Sequence, residues 1–265
     1  MVDVFGGAGT FKGQKGPPGP MGPRGFPGSI KDLCEWLPQS VLESLRKNDE
    51  IGSFFITDPS KDLEQSGKVV KQWVSRSNKG LNLVADIPSS DLVKLPDRYV
   101  LGFKKNRYAS KDIFWLENEP GTNAFICITF KVFGDEEKVL ISNFHKGEDN
   151  YCEVRVSATE IRLHLHNVDE IIQHSCKEWT TLYLECNSDD TTTYYKYDVN
   201  GKTGSFTGTP DELFFTGSLA MGSRPDDTFF LNGQVSALEI YEGTQPSEVP
   251  KPLKDIIIKH QRIVL

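Results

Sequence analysis

Glycine recurs at every third position in GQKGPPGPMGPRGFPG: Gly13, Gly16, Gly19, Gly22, Gly25 and Gly28. Three chains wind around one axis only where each third residue lacks a side chain. Pro17, Pro18, Pro20, Pro23 and Pro27 fill X and Y places and pre-set the extended conformation. Five triplets span only roughly 45 Å at about 3 Å per residue, too few contacts to offset the ordering of three strands. The stretch therefore implies the end of a longer collagen rod, or a neighbouring segment that holds three chains in register.

The next stretch, residues 29–50, is expected to be a helical neck. Ile30, Leu33, Leu37, Val41, Leu42 and Leu45 recur at spacings of three and four, and Pro38 divides the run into two short pieces, with Ser40 placed to cap the second. This apolar stripe has two readings: packing against the following domain, or against its copies in two other chains. Residues 1–12 are expected to be an unstructured leader. The tail 251–265 is basic and apolar, and Ile256, Ile257 and Ile258 suit an added strand or a docked segment rather than a membrane anchor.

From residue 51 the pattern changes to short alternating runs: IGSFFIT, AFICITFKV, KVLISNF, YCEVRVS, EIRLHLH, EIIQHSC and TTLYLEC, then TYYKYDV, SFTG, LFFTG, SLAMG and QVSALEIYEG. Gly134-Asp135, Asn200-Gly201, Gly217-Ser218 and Asn232-Gly233 read as turns between them, Asn200-Gly201 as a tight hairpin. Many short strands with little helix predict an all-β, two-sheet antiparallel sandwich over residues 51–250. Ile126, Ile128 and Phe130 are expected in its core, with Cys127 and Thr129 on the other face of the same strand.

Charge and cysteine usage narrow the function. Net charge is −7, and the acidic balance sits in the middle of the chain, so nucleic acid is excluded as a partner. No run of apolar residues is long enough to span a bilayer. No signal peptide is visible in this chain, yet triplets and cysteines together point to secretion into the extracellular matrix. Cys34, Cys127, Cys152, Cys176 and Cys186 include no CxxC pair. Four lie in the sandwich, and Cys34 stands beside the triplets as a candidate for pairing between chains. Five reduced thiols in an intracellular fragment are the competing reading.

Residues 54–243 resemble the laminin-G/concanavalin A-like jelly-roll domain shared by pentraxins and the thrombospondin-type domains of several collagens. The resemblance rests on SGKVVKQWVSRSNKGLNL, through Trp73, Arg76, Ser77, Gly80 and Asn82, on AFICITFKV and YDVNGK, and most specifically on LAMGSRPDDTFFLNGQVSALEIYEG. It implies a Cys127–Cys186 disulfide, which leaves Cys152–Cys176 as the second pair. It supports fold better than function, since this sandwich carries lectins, adhesion modules and enzymes alike.

Site chemistry is sparse. The paired carboxylates of a glucanase strand and the G-x-S-x-G nucleophile turn are both missing, so an enzyme is not expected. No cofactor is expected. Calcium is the one metal this fold suggests, at a rim loop; Asp226 and Asp227 are the weak candidates, Asp149 and Asn150 lie in another loop, and six to eight oxygens are required. His164 and His166 share a strand face, for which a metal pair competes with an ordinary polar surface. Trp73, Trp115 and Trp179 are sugar-stacking or core residues, and no binding site stands out. The expected whole is a collagen-like homotrimer, or a collagen heterotrimer, of the extracellular matrix. Its head would bind matrix proteins or glycans; a soluble defence-type collagen lectin is the alternative.

Overall fold

A computed structural model describes residues 53–56, 63–66, 69–74, 82–87, 91–96, 99–110, 123–144, 151–166, 168–189, 191–209 and 219–243. The Gly-X-Y glycines, the neck with Cys34, Trp115, and the tail 251–265 lie outside them.

Among the described residues the chain forms strands and no helix. The strands are β1 (Ser53–Ile56), β2 (Leu63–Ser66), β3 (Val69–Trp73), β4 (Leu83–Ile87), β5 (Asp91–Lys94), β6 (Tyr99–Lys104), β7 (Arg107–Ser110) and β8 (Asn123–Val132). They continue as β9 (Lys138–Ser142), β10 (Cys152–Val156), β11 (Glu160–Leu165), β12 (Val168–Gln173), β13 (Thr180–Ser188), β14 (Thr193–Val199), β15 (Lys202–Gly208), β16 (Ala220–Met221) and β17 (Asn232–Gly243).

Every pairing is antiparallel. One sheet, the β8 sheet, runs β15–β14–β13–β8–β17, and β17 is flanked on its far side by β6 at one end and β1 at the other, with β5 beyond β6. The other, the β10 sheet, runs β12–β11–β10–β9–β16–β7–β4–β3–β2. Strand β3 also meets β5 through Val69 and Asp91, joining the two sheets along one side. This is the two-sheet antiparallel sandwich expected from the alternating runs.

The alternation that marked each run sets what each sheet buries. On β8, Ala124, Ile126, Ile128, Phe130 and Val132 enter the shared core; on β11, Ile161, Leu163 and Leu165 do the same from the opposite sheet. Trp73 and Tyr108 are fully buried at the joined side, where the rings of Phe103 and Tyr108 meet edge-on at 5.7 Å. Trp73 is thus a core residue. Removing side chains of this size from water stabilises the fold by about 1.5–3 kcal/mol each.

The turns follow backbone chemistry. Gly134, Asn200 and Gly201 all have positive φ, and Asn200-Gly201 joins β14 to β15 as a two-residue hairpin. Asn232-Gly233 is a correction: it lies inside β17, not in a turn. Gly233 faces both Phe103 and Val132, and a Cβ there would stand 2.3 Å from the Lys131 carbonyl oxygen. Close backbone approach explains that glycine. Gly217-Ser218 and LFFTG are outside the described residues.

Candidate functional site

The outer face of the β10 sheet carries the densest polar cluster among the described residues. Strand register aligns Ser142, Glu153, His164 and Asp169 in one row across β9 to β12, and Val139, Arg155, Arg162 and Ile171 in the next. Alternation explains why these polar residues share a face: Cys152, Val154 and Val156 point inward between them.

A loop of residues 222–231, between β16 and β17, lies over this face. It leaves β16 at Gly222, where φ is 92° and a Cβ would meet the Phe103 ring at 2.4 Å and the Asn106 carbonyl oxygen at 2.9 Å. The Arg224 N–H donates to the Thr228 carbonyl at 3.1 Å, and the Val139 N–H donates to the Phe229 carbonyl at 2.9 Å, which docks the loop on β9. Asp227 and Phe229 are both held at positive φ.

Glu153 is the centre of the cluster, with no side-chain exposure. Arg224 donates to its two oxygens at 2.7 and 3.0 Å, Ser142 Oγ donates at 3.0 Å, and Arg155 Nε closes a further short contact. Burial opposes the charge on Arg224, but the hydrogen bond and charge of Glu153 outweigh it and hold the guanidinium above its ordinary pKa. The same competition, with Glu153 and then Glu137, raises Arg155. Glu137 bridges Arg155 at 3.1 Å and Arg162 at 3.2 Å.

Aromatic rings surround the Arg224 guanidinium: Phe144 at 4.5 Å, Phe229 at 4.9 Å and Tyr151 at 5.5 Å. Tyr151 also packs on His164 at 4.4 Å, and Arg155 lies 5.4 Å from the Phe229 ring. Two guanidinium groups thus lie within 5.4 Å of the Phe229 ring, while the residue stays 41 % exposed. The result is an aromatic ledge at the rim of a hydrogen-bonded polar floor.

Carboxylates balance the cations of this floor. Arg107 pairs with Asp86 and with Asp227, the latter at 2.7 Å. Asp226 accepts from the backbone N–H of Thr228 at 3.2 Å. The two aspartates proposed from sequence as calcium ligands therefore point to different partners, and Arg107 occupies Asp227. Among the described residues, no group of three or more His, Cys, Asp or Glu is placed to hold a metal ion. Asp149 and Asn150 are outside them.

The histidines also separate. His164 Nδ1 meets Asp169 at 2.9 Å on the outer face, whereas His166 sits past the end of β11 at φ 52° and brings its Nε2 to within 3.2 Å of Cys152 Sγ. The strand's alternation stops at that turn, so the shared face expected for the pair is lost. Trp179 is half-buried, and its carbonyl accepts from Asn200 at 3.2 Å.

Neither implied disulfide is formed among the described cysteines. Cys186 belongs to the inter-sheet core, but Cys127 sits on the opposite face of the adjoining strand, beside Tyr183. Cys152 pairs with Leu165 at the start of β10, while Cys176 donates its N–H to Ala158 beyond the other end. The length of β10 alone separates them by ~13 Å, well past the reach of a disulfide.

No protein-family model and no curated protein sequence matches the chain. Solved structures share its fold. An arabinofuranosidase complexed with arabinofuranosyl-α-1,2-xylobiose matches with TM-score 0.52 at 9% identity, over 73% of this chain and 50% of that one. The receptor-binding domain of botulinum neurotoxin type G matches with TM-score 0.52 at 8% identity, over 81% and 51%. A botulinum neurotoxin type C structure matches with TM-score 0.51 at 11% identity, over 84% and 53%. The chain spans about half the length of these structures, and at such identities the likeness is one of fold, an all-β sandwich of two antiparallel sheets.

Proposed function

We propose that the sandwich is a non-catalytic recognition module that binds neutral glycans on the Phe229 ledge, carried as the head of a collagen-like extracellular protein. The observation that supports this reading is the position of Phe229: a partly exposed aromatic residue held near the Arg224 and Arg155 guanidinium groups, beside a floor rich in donors and acceptors. Sugar rings offer an apolar C–H face to such a ring and hydroxyls to the groups around it. The paired charges disfavour a strongly anionic ligand, because Arg107, Arg155, Arg162 and Arg224 each already face a carboxylate.

One fold relative is known with a neutral sugar bound: the arabinofuranosidase holds a substituted xylobiose. Catalysis is disfavoured in this chain, since Glu153 is buried and its oxygens are taken by protein donors. Calcium dependence is disfavoured too, since Arg107 holds Asp227. Three heads on one collagen-like stem would strengthen weak single-site binding through high effective concentration. Gly-X-Y triplets support that assembly, and light scattering of the full chain with and without reductant measures it.

The test is a panel of immobilised neutral oligosaccharides probed with the full chain and Phe229→Ala. Binding that survives chelation of calcium and falls roughly tenfold or more in Phe229→Ala, with an unchanged melting temperature, supports the reading. Equal binding by both proteins, or none by the parent, overturns it.

A further inference from the structure

Cys152 on β10 and Cys186 on β13 enter the inter-sheet core from opposite sheets. Both are fully buried thiols. Each strand is third in from the same side of the sandwich: β15–β14–β13 in one sheet, β12–β11–β10 in the other.

The side where β15 runs along β12 fixes how the sheets face one another. At one end Lys202 Nζ donates to the Gln173 carbonyl at 3.3 Å; at the other, a Cβ on Gly208 would stand 2.9 Å from Val168 Cγ2. Strand register carries the second end inward. Gly208 lies beside Thr193, and Thr193 beside Ser188 on β13; Val168 lies beside Leu165, and Leu165 beside Cys152 on β10. Cys152 therefore faces the Ser188 end of β13, where Cys186 is the next inward-facing residue. Aligned sheets cross at about 30°, which over the ~10 Å from edge strand to third strand shifts the facing position by roughly 6 Å, one inward residue. Electrostatics select Cys186: burial pushes its thiol well above the ordinary pKa, and the neighbouring Cys152 and Glu185 add to the rise. No other described cysteine is so placed. Cys127 turns to the other face of β8, and Cys176 lies beyond the far end of β10.

We propose that Cys152 and Cys186 are joined as an inter-sheet disulfide when the chain folds in the presence of a disulfide oxidant. Sheets ~10 Å apart are bridged in this way in antibody domains, where inward-facing cysteines of the two layers bond. The first step belongs to a local hairpin. Pairing of β10 with β11 sets Cys152 beside Leu165, and His166 Nε2 then lies 3.2 Å from Cys152 Sγ. His166 takes the thiol proton, and the Cys152 thiolate attacks an external disulfide such as oxidised glutathione. One thiolate leaves and takes that proton. Closure of the β8 sheet over the hairpin brings in Cys186, whose sulfur attacks the Cys152 sulfur of the mixed disulfide. Its proton passes to the second departing thiolate. Two protein thiols thus lose two electrons and two protons, and one external disulfide becomes two thiols. The inference stands apart from the glycan reading.

The four described cysteines fall in separate tryptic peptides, 112–131, 147–155, 163–177 and 178–196. The full chain is refolded in mixtures of oxidised and reduced glutathione, alkylated in denaturant and digested without reduction. Peptides 147–155 and 178–196 are expected as one linked pair, with 112–131 and 163–177 alkylated. Cys152 or Cys186 linked to any other cysteine, or both alkylated at every glutathione ratio, overturns the proposal. In urea, reductant is expected to lower the folding equilibrium constant of the oxidised parent roughly tenfold or more, and that of Cys186→Ala not at all. An equal response in the two proteins also overturns it.

Discussion

Arg224 holds both oxygens of Glu153, at 2.7 and 3.0 Å, across 71 residues of chain. This pair ties the 222–231 loop to the middle of the β10 sheet and sets the height of the Phe229 ledge. A buried carboxylate ringed by donors is costly to break from one side, because the partners are left buried and unmatched.

Glu153→Gln is accordingly expected to lower stability by about 3–5 kcal/mol. Arg162→Ala, which removes a partly exposed partner of Glu137, is expected to cost no more than ~1 kcal/mol. Urea unfolding of the two variants, monitored by tryptophan fluorescence, checks the contrast.

Gly222 is where the loop departs, and both its φ of 92° and the 2.4 Å approach to the Phe103 ring exclude a side chain. Gly222→Ala is expected to lose about 1–3 kcal/mol from backbone strain alone. The variant should also weaken glycan binding, because the ledge moves with the loop. Equilibrium denaturation and the oligosaccharide panel measure the two effects separately.

Asn200 joins its hairpin to β13. It holds φ 50°, its Oδ1 accepts from the Thr181 N–H at 2.8 Å, and its Nδ2 donates to the Trp179 carbonyl at 3.2 Å. Asn200→Ala is expected to cost about 1–2 kcal/mol, from the lost hydrogen bonds and the poorer left-handed residue. Faster amide exchange at Thr181 in the variant is the signature that separates this cause from a general loss of stability.

His174 sets a pH dependence. Burial, and then the charge of Lys202, lower its imidazole pKa in the folded protein. The unfolded chain then binds a proton at a pH where the folded chain does not. Its contribution to stability is present above the unfolded value of about 6.5 and is lost as pH falls toward the lower folded value. The melting temperature should drop between pH 7 and pH 5, and His174→Gln should flatten that part of the profile. Carboxylates that titrate at lower pH are common to both proteins and cancel in the comparison.

The thiols differ in a way that alkylation will show. Burial pushes the Cys176 thiol up to about 12, so it stays protonated and unreactive at neutral pH. Labelling of native protein at pH 8 is expected to leave Cys176 unmodified, and labelling in denaturant to capture it.

How much of the site was legible follows from the range of each interaction. RPDD read as a rim loop, and the loop does sit at the rim, but its first residue matters more than its aspartates. Arg224 meets Glu153, Tyr151 and Phe144 from 71 or more positions away, and spacing along the chain carries no trace of such contacts. Glu153 and Arg155 read only as the polar half of an alternating strand. Strands β2 to β7 were missed as separate elements, because each is only four to six residues long and apolar pairs such as Leu83-Val84 and Val100-Leu101 stand side by side instead of alternating; Trp73 and Tyr108 enter the core through tertiary packing at the joined side.

Within single strands, local pattern was sufficient: period-two alternation in AFICITFKV put Ile126, Ile128 and Phe130 inward and Cys127 outward, since successive side chains leave a pleated backbone on opposite faces. Asn200-Gly201 likewise named its own hairpin, because so few residues accept positive φ. Which strands become neighbours, and what lies over each outer face, is written in no local pattern. Those choices depend on the free energy of burying surface between segments far apart in sequence. They brought Arg224 to Glu153 across 71 residues and set Trp73 and Tyr108 in the core where the two sheets join.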